Sequence, residues 1–345
     1  MRVFLFELIV YNRTMEDKKN ILAINFGGIG DEIFFLPSLI SLKKEYPDSC
    51  ITLALEPRSK GIKDLTDVID DIITVDIKGE NKYAAMLKFL FEIRKRHFDI
   101  VISSGGNKLI SIFLFMTGIK KRYGYDSGKL SHILLTKAVK LNKNQYACAM
   151  YHDLVRSLTN NDTKLPQINI NRREVISNSV LIHPGVSKMS VQKGCIKTVP
   201  PKTWAKVIDL LVADGKKVML TGGPDDKDCI DEILKNVRTQ NFENLYGMTK
   251  NLNELAQLIS SCEKFLCSDS APLHIAVALG IKTYPIFGPT NDKTLIPQTP
   301  QVVPIKADDK CPLKPCLWAK RMTTCKNLDC LKITPSKIEQ TVLEK

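Results

Sequence analysis

Short apolar strands alternate with amphipathic helical segments along most of the chain, and this alternation restricts the fold more than any other feature. In the first half, strand-like runs at 21–26, 50–55, 71–75 and 99–104 are separated by helical patterns, of which 83–98 is the clearest. Strands joined through helices pair in parallel and place the helices on both faces of the sheet. The pattern therefore predicts an α/β fold.

The same alternation begins again after a polar, turn-rich stretch at 159–179, where we place the domain linker. The strands and helices expected beyond it lie at 180–183, 202–215, 216–223, 251–262, 264–268, 272–280 and 282–288. Two such runs predict two Rossmann-like domains with parallel sheets that face an interdomain cleft. Ligands should bind at the carboxyl ends of the strands.

We expect three segments within this organisation. Residues 1–170 form an N-terminal Rossmann-like domain, and residues 171–333 form a C-terminal Rossmann-like domain. Residues 334–345 have the pattern of a capped helix. The organised pattern starts only at Lys18, so Met15 is considered beside Met1 as the first residue.

The chain carries a formal net charge of +13, which favours a partner with phosphates: nucleic acid, an anionic membrane surface or a phosphorylated substrate. Its 345 residues suffice for two domains of ordinary size. No apolar run reaches the roughly 18 residues of a membrane span. The apolar segment at the start is interrupted by Glu7 and lacks a small-residue cleavage site, so we predict no signal peptide.

A glycine turn follows the first strand and precedes a helix, and it ends in an acid, Asp31. Gly28 and Gly30 suit a dinucleotide fingerprint, with Glu56 in the place of a ribose-binding acid. The third glycine is replaced by Ile33, however, and a carboxylate at this helix start would repel a pyrophosphate. Asp31 is therefore either an ordinary helix-start acid or a general base presented to a substrate.

Three loops of the second half offer groups that suit a nucleotide. Ser187 ends a Pro-Gly-Val-Ser turn whose amides and hydroxyl can bind phosphate, and Lys197 can neutralise a leaving diphosphate. The turn at Gly222 and Gly223 precedes Asp225, an acid well placed for a ribose or a base.

The stretch 267–280 gives the strongest signal for an anion site. Asp269 and Ser270 end a strand, and the helix that follows starts with amides that can bind a diphosphate. His274 lies on the first turn of that helix. Alone it would be interpreted as a partly buried helix histidine, but its position beside the other groups makes it a candidate ligand contact.

These motifs, GGIGDEIFFLPSLISLKKEYPD, HPGVS, GGPDD, SDSAPLHIAVALG and IFGPT, occur in one order between residues 20 and 335. Together they resemble glycosyltransferase family 9, the ADP-heptose:lipopolysaccharide heptosyltransferase family. The resemblance implies a GT-B fold with the acceptor on the N-terminal domain, residues 1–170, and the nucleotide sugar on the C-terminal one, residues 171–333. It further implies that the C-terminal helix at 334–345 packs back on the N-terminal domain. It also implies an inverting, metal-independent transfer that requires no cofactor.

The resemblance assigns roles to individual residues. Asp31 is similar to the family's catalytic base, and the acceptor contacts would be Gly28, Gly30 and Arg58. The implied donor contacts are Ser187, Lys197, Gly222, Gly223, Asp225, Asp269, Ser270, Ala271, Pro272, Leu273 and His274.

The chain departs from the family pattern at two of these motifs. Ala271 replaces a glycine, and the stretch from Lys197 to Pro200 lacks the family's tryptophan. The loop before Lys197 is also long, so Lys188 or Lys193 is an alternative phosphate lysine. ADP-heptose is the expected donor, with another nucleotide sugar left open.

The sequence thus favours a cytoplasmic glycosyltransferase, peripheral at the inner face of a bacterial membrane. Its expected acceptor is a lipid-linked, phosphorylated glycan of the lipopolysaccharide core or cell envelope, and we expect no nucleic-acid partner. Two alternatives remain open: a nucleotide-dependent oxidoreductase, and a non-catalytic protein of the same fold that binds sugar nucleotides.

Four cysteines cluster near the end of the chain, at Cys311, Cys316, Cys325 and Cys330. Cysteine thiolates bind zinc or iron, but the spacing here differs from the usual Cys-x2-Cys pair. We therefore favour packing cysteines or a disulfide over a metal site.

Overall fold

The computed structural model describes residues 18–162, 165–192, 194–308, 311–316 and 325–344. The alternative start Met15 and the alternative phosphate lysine Lys193 lie outside these ranges. The chain divides into two compact units, with the boundary between Gln167 and Ile168.

The first unit is a six-stranded sheet with helices between successive strands. Its strands are β1 (Asn20–Ile24), β2 (Cys50–Leu55), β3 (Asp71–Thr74), β4 (Ile100–Ser103), β5 (Lys121–Tyr125) and β6 (Lys137–Val139). Its helices are α1 (Ile29–Glu45), α2 (Lys82–Arg96), α3 (Lys108–Met116), α4 (Lys129–Leu134) and α5 (Ala147–His152), and a 3-10 helix spans Pro57–Leu65.

All strand pairs of this sheet are parallel, in the order β3-β2-β1-β4-β5-β6. The central strand β1 is buried apart from its first residue, as expected for a parallel strand covered on both faces. One core contains Leu22 and Ile24 of β1 together with Phe89 of α2 and Leu114 of α3. Helices α2 and α3 therefore cover the same face of the sheet.

The second unit repeats this plan. Its strands are β7 (Ile176–His183), β8 (Lys217–Leu220), β9 (Glu243–Asn244), β10 (Cys262–Ser268), β11 (Lys282–Phe287) and β12 (Ile305–Lys306). Its helices are α6 (Lys188–Gln192), α7 (Pro201–Ala213), α8 (Lys227–Asn236), α9 (Leu252–Ser260), α10 (Ala271–Leu279), α11 (Asp292–Leu295) and α12 (Pro335–Leu343), with 3-10 turns at Pro224–Asp226 and Asp329–Leu331.

The parallel strands of the second sheet run β12-β11-β10-β7-β8-β9, which is the same connectivity as in the first unit. Both sheets thus have the strand order of a Rossmann fold, with the order reversing beside the first strand of each unit. The predicted α/β class with two parallel sheets is confirmed. Among the described helices, none is both long and apolar enough to cross a bilayer.

The expectation for the C-terminal helix requires a correction. We expected it to pack on the N-terminal domain, but Ile338 and Val342 of α12 are fully buried in the core of the second unit. Lys264 on β10 donates a hydrogen bond to the carbonyl of Val342 at 2.6 Å. An amphipathic helix buries its apolar stripe against whichever surface is complementary, and here that surface belongs to its own unit.

Candidate active site

The loops singled out in the sequence lie at equivalent places in the two units. In the first unit, Asp31 follows β1, which pairs with β4 where the strand order reverses. In the second, Ser187 follows β7 and Asp269 follows β10, which pair at the corresponding place. Crevices at such switch points, outside the carboxyl ends of the strands, are where open α/β sheets bind ligands.

The Asp31 carboxylate is oriented by two hydrogen bonds. The Gly28 amide donates to Oδ2 at 2.9 Å, which is the usual way in which a helix-start acid satisfies a backbone donor. The Tyr151 hydroxyl, from α5, donates to Oδ1 at 3.3 Å. Asp31 stays partly exposed, so this side chain is fixed in place and still accessible.

Gly27 makes this arrangement possible, although the sequence drew attention only to Gly28 and Gly30. A Cβ added at Gly27 would lie 2.3 Å from the Cβ of Asp31 and 2.7 Å from its carboxyl carbon. Any side chain there would push the carboxylate away. Gly30 lies inside α1, in the first turn of the helix. It is therefore part of the helix and not of the glycine loop that precedes it.

A buried polar network lies behind Asp31. Asn25 donates to the carboxylate of Glu32 at 3.1 Å and accepts from the hydroxyl of Ser104 at 2.5 Å, which joins the loops after β1 and β4. Burial, with the nearby charge of Asp31 as a second cause, raises the pKa of Glu32 well above its usual value. The Glu32 carboxyl therefore holds its proton more tightly than an ordinary glutamate and lies beside the candidate base.

Arg58 lies close to the same turn. Its guanidinium Nη2 would be 3.9 Å from a Cβ at Gly28, and its Nε donates to Glu56 at 2.8 Å. Lys78 pairs with the other oxygen of Glu56 at 2.6 Å. Glu56 is thus a buried acid between two partly exposed cations and is not free to bind a ribose.

In the second unit the structure brings three of the predicted donor contacts together. Lys197 Nζ lies 3.4 Å from Asp269 Oδ2, and both side chains are largely buried. His274 is influenced by both charges and is buried beside them. Burial lowers the pKa of His274 to about 4, with the charge of Lys197 acting in the same direction and Asp269 opposing it. At neutral pH, His274 is therefore uncharged, and Lys197 supplies the positive charge.

The backbone that carries Lys197 is held by a network that the sequence did not reveal. The hydroxyl of Thr198 donates to the carbonyl of Pro184 at 2.7 Å and accepts from the indole of Trp204 at 3.0 Å. Ser268, the last residue of β10, donates to the same carbonyl at 2.7 Å. Trp204 is fully buried, so a tryptophan does support this loop, seven positions beyond Lys197.

The N-terminus of helix α10 offers a ligand fewer free backbone amides than we expected from the sequence. Pro272 has no N–H, and the amide of Leu273 bonds to the carbonyl of Ser270 at 3.1 Å. The side chain of Leu273 is fully buried in the core. What remains for a ligand at this end is Ala271 and Ser270, whose buried hydroxyl oxygen has no hydrogen-bond partner among the described residues.

The turn after β8 is built around Asp226 rather than Asp225. Asp226 accepts from the Gly223 amide at 2.8 Å, and its Oδ2 lies 3.5 Å from His183 Nε2. A Cβ at Gly185 would meet its Oδ1 at 1.8 Å. Burial raises the pKa of Asp226 and lowers that of His183. The attraction between the two groups shifts each pKa in the opposite direction, but by less. This buried pair fixes the HPG and GGPDD turns against each other.

Asp225 and the serine of the HPGVS motif lie on the exposed side of these turns. Asp225 accepts from the backbone amide of Lys188 at 3.3 Å. The Ser187 hydroxyl, just before α6, lies 2.8 Å from that of Ser190 in its first turn. Lys188 is exposed, whereas Lys197 is held by Asp269, which makes Lys197 the better placed of these two lysines.

The four C-terminal cysteines line one cavity of about 830 Å³ in the second unit, together with Lys314. In the described part of the chain, no three His, Cys, Asp or Glu side chains are arranged to hold a metal ion.

Curated relatives carry consistent names. The chain is 24% identical over 295 residues to lipopolysaccharide heptosyltransferase 3 of Escherichia coli, which covers 79% of this chain and 84% of the relative. It is 25% identical over 324 residues to lipooligosaccharide heptosyltransferase 2 of Campylobacter jejuni, with 90% and 93% covered.

The fold also matches solved structures. E. coli ADP-heptose LPS heptosyltransferase II superposes with a TM-score of 0.72 over 93% of this chain and 96% of that one, at 19% identity. The chain, with one parallel six-stranded sheet in each unit, thus has the GT-B fold. Residues 86–323, well over half of the chain, match the sequence profile described as Glycosyltransferase family 9 (heptosyltransferase). The protein is therefore a member of glycosyltransferase family 9 and not the oxidoreductase that its glycine turn left open.

Proposed function

We propose that this glycosyltransferase moves a heptose from ADP-heptose to a lipopolysaccharide-core or related cell-envelope glycan, with inversion at the anomeric carbon and without a metal. The observation that carries the proposal is the geometry of Asp31, a partly exposed carboxylate oriented from two sides at the switch point of the first sheet. The family match starts at residue 86, so the role of Asp31 rests on this geometry and on its motif.

The proposed reaction is a single displacement. Asp31 takes the proton of the acceptor hydroxyl while its oxygen forms a bond to C1 of the heptose. The bond between C1 and the β-phosphate oxygen breaks, and its electron pair leaves with ADP. One carboxylate suffices because the leaving group is stabilised by positive charge instead of protonation by a second acid.

Lys197 is the proposed source of that charge on the donor side. Asp269 holds the ammonium in place, and the buried Ser270 hydroxyl offers a hydrogen bond to a phosphate oxygen. His274, being neutral, is proposed to orient these groups or a phosphate rather than to neutralise it. We further propose that Asp225, on the exposed side of its turn, contacts the nucleoside, and that Arg58 binds an anionic group of the acceptor.

The test is Asp31→Asn, assayed by release of ADP from ADP-heptose in the presence of acceptor glycan. We expect turnover to fall by about a thousandfold or more while ADP still raises the melting temperature, because the amide cannot accept the proton. Asp228→Asn is the matched control, an exposed acid in the first turn of α8. Unchanged turnover in Asp31→Asn would reject the base assignment.

Three further measurements address the remaining parts of the proposal. A thermal-shift screen of nucleotide sugars identifies the donor, because a ligand that binds the native state stabilises it. The anomeric configuration of the product, measured by NMR, tests inversion. Activity after exhaustive chelation tests metal independence, and its loss with recovery on adding a metal would contradict that point.

A non-catalytic, sugar-nucleotide-binding role is the second candidate, favoured by Ala271 in place of the family's glycine. It predicts a thermal shift with the donor but no ADP release with any acceptor. The same two assays therefore separate the candidates.

A further inference from the structure

The first unit exposes an unusual amount of apolar surface on one layer of helices. Of the sixteen large hydrophobic side chains that are exposed in the described residues, nine lie on α2, α3 and α4. Isolated exposed apolar residues are normal, but a contiguous group marks an interaction surface. These three helices form what we call the apolar helix face.

Helix α3 shows the feature most clearly. Its sequence, KLISIFLFM, is apolar almost throughout, and such helices are normally buried on all sides. Here Ser111 and Leu114 are the buried residues, while Leu109, Phe115 and Met116 are about half or more exposed. The inner side of α3 therefore contributes to the core, and its outer side has no covering element within the described part of the unit.

The neighbouring helices extend this surface. On α2, Tyr83, Leu87 and Phe91 are exposed at a spacing of four residues, which places them on one stripe. On α4, Leu130 and Ile133 are exposed one turn apart. Their apolar side chains thus continue the exposed surface on both sides of α3.

Direct contacts show that the helices are adjacent. Arg94 of α2 donates to the carbonyl of Met116, the last residue of α3, at 3.0 Å through Nε. The rings of Phe89 and Phe113 stack at 5.7 Å between the same two helices. Helix α4 packs against α3. The exposed side chains therefore belong to one surface and not to three separate ones.

The same segment carries most of the net positive charge of the protein. Residues 82–143 contain thirteen Lys and Arg but three Asp and Glu, a net charge of +10 out of +13 for the whole chain. Lys108 and Lys129 start α3 and α4 and are exposed beside the apolar residues. The Arg122 guanidinium lies 5.5 Å from the ring centroid of Phe115, so charge and apolar surface are interleaved.

We propose that the apolar helix face docks on an anionic lipid bilayer, with its leucine, isoleucine and aromatic side chains in the interfacial region and its lysines on the headgroups. Helices that lie in a membrane interface combine these two kinds of side chain. Nucleic acid would use the charge but not Leu109 or Ile133. A second copy of the face would be repelled by its own charge. The inference rests on the proposed function, because a lipid-linked acceptor is presented at such a surface.

The test is co-sedimentation of the full chain with vesicles of phosphatidylcholine alone or with about a third phosphatidylglycerol. We expect binding to the anionic vesicles only, weakened by salt. Leu109→Gln with Ile133→Gln should reduce the affinity about tenfold or more, and so should Lys108→Gln with Lys129→Gln. Leu109 and Ile133 are 66% and 75% exposed, so the variants should fold normally.

Matched controls lie on the second unit. Met248→Gln with Leu234→Gln removes apolar side chains that are 68% and 37% exposed, and Lys202→Gln with Lys206→Gln removes exposed lysines of α7. These should bind vesicles like the unmodified protein. The two double variants of the apolar helix face are called the face variants. If they bind anionic vesicles as tightly as the unmodified protein, or if the unmodified protein does not bind these vesicles, the proposal is overturned. A change from oligomer to monomer in Leu109→Gln with Ile133→Gln also overturns it, because it would show that another copy covers the face.

The outcome is separable from the proposed reaction. With a delipidated, water-soluble acceptor, the face variants should retain turnover, whereas Asp31→Asn should lose turnover and still bind vesicles. Loss of turnover in the face variants with soluble acceptor would also contradict the docking role. It would mean that these residues are needed for the reaction itself and not only for binding to the membrane.

Discussion

Asp31 owes its position to groups that come from different parts of the first unit. Gly28, three residues before it, fixes one oxygen, while Tyr151, 120 residues later, fixes the other. Burial and the neighbouring carboxylate of Asp31 both raise the pKa of Glu32, which disfavours a second negative charge beside the base. A carboxylate held on both oxygens keeps one orientation without losing access to an acceptor.

Tyr151→Phe should lower kcat about tenfold and leave the KM for the donor nearly unchanged. The ring still packs against Phe35, but the carboxylate loses a hydrogen bond, a charge-assisted interaction that contributes about 1.5 kcal/mol or more. Steady-state kinetics measure the effect. Tyr125→Phe is the control, since it removes a buried hydroxyl that bonds to the Met150 carbonyl on the same helix but not to Asp31. Equal losses of kcat in the two variants would mean that Tyr151 acts only on the packing of α5.

His274 makes stability depend on pH in a defined direction. Its folded pKa of about 4 lies below the usual 6.5, so the unfolded chain binds the proton more tightly. Its contribution to stability is present above pH 6.5 and is lost as the pH falls towards 4, by about 3 kcal/mol. Urea unfolding of His274→Asn should show a smaller loss over this range than the unmodified protein. His132→Asn, an exposed histidine, is the control, and an undiminished loss in His274→Asn would contradict the argument.

At the scale of elements, the sequence was sufficient for what is encoded locally. The strand at 50–55 has the predicted bounds, and the helix predicted at 251–262 forms at Leu252–Ser260, where the Asn251 side chain accepts from the Glu254 amide. The spacing of apolar residues and the capping of a helix both depend on residues that are close in sequence. The bridge from Trp204 to Thr198 was not predictable, because it depends on how α7 packs beneath the loop of Lys197.

The wrong prediction for the packing of the C-terminal helix has the same physical explanation. The pattern of the helix shows that one stripe of side chains is buried. An apolar stripe does not indicate, however, which surface it packs against. The contact of Tyr151 with Asp31 was missed for a related reason: it joins residues far apart in sequence, and a tyrosine in a short helix gives no local signal.

Ile338→Ala should destabilise the second unit by about 2–4 kcal/mol, since a fully buried side chain leaves a cavity when it is truncated. Trp204 lies in the same core, so urea unfolding followed by tryptophan fluorescence reports on this change. Gln340→Ala, two residues further along α12 and exposed, should stay within about 0.5 kcal/mol of the unmodified protein. Equal stability of the two variants would indicate that α12 is not part of this core.

At the scale of the whole molecule, one architecture is used twice with different chemistry at the same topological position. The switch point of the first sheet carries a carboxylate with partly exposed Arg58 nearby, and that of the second carries a lysine held by an acid. The net charge is also divided unequally, because residues 82–143 of the first unit carry most of it. The proposed function uses this difference, because it assigns the acceptor to the first unit and the nucleotide to the second.

This division predicts where a nucleotide protects the backbone of the full chain. ADP should slow amide hydrogen exchange in the second-unit loops at 184–188, 195–199, 222–226 and 268–274, because binding orders the turns that hold the diphosphate. Exchange at 25–31 should not change.

Adenosine is the matched ligand control for the same experiment. It lacks the diphosphate, so protection near Lys197 and Ser270 should disappear, while any protection near Asp225 persists through the nucleoside. Protection by ADP around Gly27 and Asp31, with none in the second unit, would instead place the nucleotide on the first sheet. Asp31 would then face a phosphate, a position that its charge disfavours, and its assignment as the base would have to be abandoned.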